Sequence, residues 1–129
     1  MLTNLSGDLV SNLKMKHINF ANNILSDIPR DYLKGQHDLE YFDVSLHLLT
    51  NVPEGLFQDT LVLKYLDMSR NRIPFFSDDI FTNLTHLKEL ALCENSLQNL
   101  KFLSPLRALS SLKLSDNQIL NIKERDFEK

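Results

Sequence analysis

Cysteine is nearly absent from this chain: Cys93 is the only one in 129 residues. A lone thiol cannot close an internal disulfide, so the fold must hold by packing, and the redox compartment stays open. Long apolar runs are missing too. None approaches the ~20 residues of a membrane-spanning helix, so no membrane span is expected within this stretch. The opening Met1-Leu2-Thr3-Asn4-Leu5 lacks the basic and apolar regions of a secretory signal. Positive charge is not in excess: 14 Lys and Arg against 17 Asp and Glu leave a formal charge of −3. Phosphate backbones are held by clustered cations, so no nucleic acid is expected as a partner. The histidines, His17, His37, His47 and His86, share no ligand spacing with a cysteine or a carboxylate cluster, so neither metal nor cofactor is expected.

What the chain does have is a period. Apolar triplets fall at Met15, Ile18 and Phe20, then at Leu39, Phe42 and Val44. They return at Leu63, Leu66 and Met68, at Leu87, Leu90 and Leu92, and at Leu109, Leu112 and Leu114. The period divides the chain into a partial repeat over 1–14, repeats over 15–38, 39–62, 63–86 and 87–108, and an incomplete repeat over 109–129. A fixed L-x-x-L-x-L step in the range of roughly 20–29 residues marks a leucine-rich-repeat solenoid. The fold class expected is therefore an α/β-type repeat solenoid, a horseshoe with a parallel β-sheet on its concave face and a mostly irregular or short-helical back side.

Within each repeat the period-two alternation predicts a short strand with one face inward, centred on Phe20, Val44, Met68, Leu92 and Leu114. An asparagine position follows at Asn23, Asn71, Asn95 and Asn117. A side-chain amide offers two donors and an acceptor, so these residues are expected to form a structural ladder that satisfies backbone groups where the chain turns inward. His47 stands where the second member belongs, and an imidazole has fewer simultaneous bonds to give. That junction is expected to be looser or rebuilt. A second apolar set, Leu25, Leu49, Ile73, Leu97 and Ile119, then Ile28, Val52, Phe76, Leu100 and Ile122, is expected to fill the interior. Pro29 and Pro53 punctuate the back, and Leu33, Phe57, Phe81 and Phe127 form a spine whose aromatics lock neighbouring coils. In the short repeat, Ser104-Pro105 predicts an N-cap and first-turn proline, with a helical turn over 106–109.

These motifs carry a resemblance. The 24-residue form, with stretches such as Leu66-Asp67-Met68-Ser69-Arg70-Asn71 and Val52-Pro53-Glu54-Gly55-Leu56-Phe57, resembles the typical leucine-rich repeat of animal extracellular proteins. Toll-like receptor ectodomains, guidance and adhesion proteins and secreted immune factors share it. The chain is most similar to an interior stretch of a Toll-like ectodomain, since neither end shows a polar cap, and it is expected to be part of a longer protein. That resemblance implies ligand recognition at the cell surface or outside the cell, by a protein ligand or co-receptor, with homo- or heterodimerisation of the parent. An adhesion or guidance protein is the alternative. An intracellular scaffold or inhibitor is a third reading, disfavoured by the proline and phenylalanine spine.

Outward-facing strand positions form a grid. One column reads His17, Tyr41, Tyr65, Glu89 and Ser111, and the next reads Asn19, Asp43, Asp67, Ala91 and Lys113. Tyr41 and Tyr65 thus stand beside Asp43 and Asp67, flanked by Arg70 and Leu46. Tyrosine brings large contact area, few rotors and a hydroxyl to a recognition surface, so these residues and His17 are the expected protein-binding set. Asp43 and Asp67 could also be a carboxylate pair for acid–base work, but no nucleophile or supporting shell accompanies them, and no catalytic activity is expected. Asn4-Leu5-Ser6 and Asn83-Leu84-Thr85 match the N-glycosylation pattern. Asn83 is the better acceptor, because a glycan on the back side leaves the sheet clear.

Overall fold

The computed structural model describes Thr3, residues 13–120, Ile122 and Asp126. Five strands, β1 (His17–Asn19), β2 (Tyr41–Asp43), β3 (Tyr65–Asp67), β4 (Glu89–Ala91) and β5 (Ser111–Lys113), form one parallel sheet in chain order. The register is unbroken, with Ile18, Phe42, Leu66, Leu90 and Leu112 aligned across it. Successive strands start 24 residues apart over the first three coils and 22 apart over the last, and each coil returns its strand to the same height beside the one before.

The strands are centred two residues earlier than the alternation predicts, on Ile18, Phe42, Leu66, Leu90 and Leu112. Inter-coil bonds do continue past the strand ends, from Phe20 N–H to the Asp43 carbonyl at 2.8 Å and from Val44 N–H to the Asp67 carbonyl at 3.0 Å. Extended geometry stops there because each coil then turns sharply. Asn22, Leu46, Arg70, Glu94 and Asp116 take φ between 53° and 62°, a left-handed conformation uncommon for residues other than glycine. Five such residues recur at the same repeat position, so the turn is imposed by the winding and not by local residue preference.

The core runs as a continuous column between the sheet and the back. Leu25, Leu39, Leu49, Leu63, Ile73, Leu87 and Leu97 are all fully buried. The expected interior set holds except at its far end, where Ile119 is only partly buried and Ile122 is 67% exposed. On the back, Phe57 and Phe81 pack at 5.7 Å between centroids. The spine then continues through Phe102, which meets Phe81 edge-on at 5.8 Å and Phe76 at 4.9 Å. Phe127 and Asn4 lie outside the described residues.

Phe102 also corrects the reading of the short repeat. A 3-10 turn covers Lys101–Leu103, and Ser104 closes it with its N–H on the Lys101 carbonyl instead of serving as an N-cap; over 106–109 a single turn forms, with the Leu109 N–H on the Leu106 carbonyl at 3.4 Å. Burial of Phe102 and Leu103 decides this: the turn forms where two apolar side chains can be placed under the spine, and Pro105 then follows where no further helical N–H is needed.

The asparagine ladder is present. Asn71 accepts the Leu49 N–H at 3.1 Å and donates to the carbonyls of Val44 and Met68 at 3.1 and 3.0 Å. Asn95 accepts from Ile73, and Asn117 from Leu97, each at 3.1 Å. Asn23 donates to the Phe20 carbonyl at 2.9 Å. His47 does not loosen its junction. Its Nδ1 accepts the Leu25 N–H at 3.0 Å and its Nε2 lies 2.6 Å from the Phe20 carbonyl. With Nδ1 committed as acceptor, Nε2 carries the proton and donates. The two ring nitrogens thereby reproduce the inter-coil acceptor and donor of an amide.

Candidate functional site: the concave aromatic face

Parallel pairing places the first outward position of each strand directly beside its neighbour, about 4.8 Å away. His17, Tyr41 and Tyr65 occupy three successive positions, and flat rings at that spacing stack. Tyr41 and Tyr65 do so at 4.5 Å between centroids with their planes 2° apart. His17 continues the stack at 5.3 Å and 13°. The ladder ends at Tyr65, because Glu89 follows on β4.

Each phenol is tied to the carboxylate two residues on. The Tyr41 hydroxyl donates to Asp43 Oδ2 at 3.4 Å and the Tyr65 hydroxyl to Asp67 Oδ2 at 3.3 Å. Both phenols are pushed above their usual ionisation range, first by burial and then by the charge of Asp43 or Asp67. Both are therefore neutral donors at neutral pH.

The aspartates have a second task. Asp43 Oδ1 accepts from the Ser45 N–H at 2.9 Å and from the Ser45 hydroxyl at 2.7 Å, and Asp67 Oδ1 accepts the Ser69 N–H at 2.8 Å. Asn19 does the same for Ala21. These are Asx turns that shape the strand exits. The D-x-S spacing at Asp43-Val44-Ser45 and Asp67-Met68-Ser69 was the signal for them, and grid reasoning overlooked it. Asp43 is buried, at 8% exposure, while Asp67 is half-buried. Both carboxylates thus serve the strand-exit turns and the neighbouring phenols.

Leu46 is exposed at the rim of the face. Arg70 sits one coil further on, where its Nε donates to Glu94 Oε1 at 3.1 Å. Both belong to the left-handed turn position, so their side chains project from the rim instead of the sheet centre. Tyr41, Tyr65, Asp43, Asp67 and His17 are therefore brought together, and Leu46 and Arg70 flank them. Cys93 is half-buried and its backbone N–H donates to the Ser69 hydroxyl at 3.1 Å. Among the described residues no group of three or more His, Cys, Asp or Glu could hold a metal ion, and no helix is long and apolar enough to cross a membrane.

On the back side Asn83 is exposed, with its amide donating to the Gln58 carbonyl at 3.3 Å. A cavity of about 510 Å³ opens nearby, lined by Arg30, Asp31, Lys34, Gly55 and Asp59 among others. Sequence reasoning gave no sign of it, because its walls come from turns of two different coils. One wall is fixed by the Gly35 N–H donating to Asp59 Oδ2 at 2.8 Å.

Comparison with known proteins agrees with this geometry. A family model described as leucine rich repeat matches residues 14–73 and 62–119. No curated protein matches the sequence. Among solved structures, the chain is similar to the leucine-rich repeat domain of APL1B, with a TM-score of 0.81 at 20% identity over 85% of this chain and 34% of that one. It is also similar to an internalin from Listeria monocytogenes, with a TM-score of 0.72 at 24% identity over 84% of this chain and 31% of the other. The chain thus spans about a third of the length of either structure.

Proposed function

The chain belongs to the leucine-rich-repeat family, and from that premise we propose that its concave face recognises a protein, as part of a Toll-like receptor or a related extracellular recognition protein. Its partner is a protein ligand or co-receptor that lays a surface across β1 to β4. The observation that carries this reading is the ring ladder of His17, Tyr41 and Tyr65. Repeat proteins bind through the concave surface their curvature creates. Rigid aromatics lose little conformational entropy when covered, so a prestacked ladder is a favourable anchor. Tyr41 and Tyr65 are already oriented by their carboxylates and need not reorganise to meet a partner. Leu46 and Arg70 extend the footprint to the rim.

Site-directed photocrosslinking separates this face from the back. A photoreactive phenylalanine analogue at position 65 and another at position 83 are displayed on cells alongside candidate extracellular proteins. Adducts formed from position 65, and lost with Tyr41→Ala, are the expected result. Adducts formed from position 83 alone would move the interface to the convex side and overturn the reading.

A further inference from the structure

The back-side cavity of about 510 Å³ has Arg30, Asp31 and Lys34 on one wall, and Gln58 and Asp59 on the other. Asn83 occupies, one coil further on, the repeat position that Asp59 holds. Its Nδ2 reaches back to donate to the Gln58 carbonyl at 3.3 Å. The asparagine of the Asn83-Leu84-Thr85 tripeptide is thus tied to a residue of the cavity wall. We propose that Asn83 carries an N-linked glycan whose first N-acetylglucosamine lies in this cavity, a carbohydrate site filled by the chain's own modification. The inference rests on the extracellular reading above, because such a glycan is added on the secretory route.

Glycan transfer preserves the tie to Gln58. Asn83 Nδ2 bonds to C1 of a pyrophosphate-activated oligosaccharide, the C1–O bond breaks, and the pyrophosphate carrier leaves with one of the two amide protons. The other N–H stays on Nδ2 and still donates to the Gln58 carbonyl. Asn83 and Thr85 are both exposed, as transfer requires. The walls suit a neutral, hydroxyl-rich ligand. Arg30 and Lys34 balance Asp31 and Asp59, so net charge favours neither an anion nor a cation. A sugar hydroxyl both donates and accepts, and partners of both kinds are present. Among the described residues, the side chains of Arg30, Asp31 and Lys34 make no hydrogen bond or ion pair, so their polar atoms are open to a ligand. Gly55 leaves room for the guanidinium at the mouth, since a Cβ there would lie 3.3 Å from Arg30 Nε. Ligand pockets typically span roughly 300–1,000 Å³, and this one falls within that range. An open site of this kind would hold a free sugar weakly. Tethering at Asn83 removes that difficulty, because it raises the effective concentration to about the millimolar range.

The test compares the whole chain, secreted from eukaryotic cells with its glycan intact, with Asn83→Gln made in the same way. Amide hydrogen exchange over 30–35 and 55–59 should be slower in the glycosylated chain by about threefold or more, the effect of one added hydrogen bond. Arg30→Ala and Asp31→Ala should each remove most of that difference. Lys101→Ala, in the separate cavity beside Asp78 and Asp79, should leave it unchanged. Equal exchange with and without the glycan would mean a sugar directed into solvent and would overturn the proposal. Slowing that survives both Arg30→Ala and Asp31→Ala would overturn it as well, since it would come from general stiffening of the coils. A secreted chain with Asn83 unmodified would do the same. In each of these cases photocrosslinking from position 65 still decides the concave face by itself, so the two readings fail separately.

Discussion

His47 holds Leu25 across a coil junction: its Nδ1 accepts the Leu25 N–H at 3.0 Å, at the place where Asn71 accepts from Leu49 one coil later. An amide cannot titrate and an imidazole can, so one rung of an otherwise inert ladder answers to pH. Burial lowers the His47 pKa from its ordinary 6.5, against smaller opposing effects of the Phe20 carbonyl and Asp43. In the window between the lowered folded value and 6.5 the unfolded chain binds a proton that the native chain does not. Stability from this site is therefore fully present above about 6.5 and falls as pH is lowered through that window. His47→Asn should keep the fold and flatten this dependence. Melting curves of the two proteins from pH 7.5 to 5 provide the test, and parallel curves would show that His47 does not titrate the junction.

Asn71→Ala should cost far more than Asn51→Ala. Asn71 is buried and serves the Leu49 N–H and the carbonyls of Val44 and Met68. Asn51 is exposed. Each stranded buried group costs about 1–3 kcal/mol, so chemical denaturation should separate the variants by several kilocalories. Equal midpoints would remove the ladder from the account of stability.

Phe102→Ala should be among the most damaging back-side changes. The ring is 1% exposed and touches both Phe76 and Phe81. Truncating a buried phenylalanine costs about 3–5 kcal/mol. Phe75, 66% exposed, provides the contrast, and its alanine variant should stay within about 0.5 kcal/mol of the parent. Urea unfolding of both variants measures the difference.

Asn83 should accept a glycan when the chain passes through a secretory pathway. The Asn83-Leu84-Thr85 tripeptide has its asparagine and threonine exposed on the back, away from Tyr41 and Tyr65. Intact-mass measurement before and after amidase treatment should show a glycan that Asn83→Gln abolishes, with the Tyr65 face unaltered. An unmodified Asn83 in secreted protein would refute the assignment.

The winding was legible in residue order alone. Leu63, Leu66 and Leu90 recur because every coil sends apolar side chains inward at the same height, and all three are buried. The same logic exposed Tyr41 over Tyr65 and Asp43 over Asp67, since a parallel register makes sequence spacing into spatial adjacency. What periodicity could not reach were decisions made between coils. Whether His47 weakens a junction depends on where its two nitrogens point, and only the positions of Leu25 and Phe20 set that. Phe102 joins the spine because the short repeat brings it beneath Phe81, a placement that no spacing rule encodes. The stack of His17, Tyr41 and Tyr65 ends where it does for the same kind of reason: the next strand places Glu89 beside Tyr65. A repeating sequence prescribes the lattice of positions, while the contacts between unlike neighbours on that lattice are settled only when the coils are stacked.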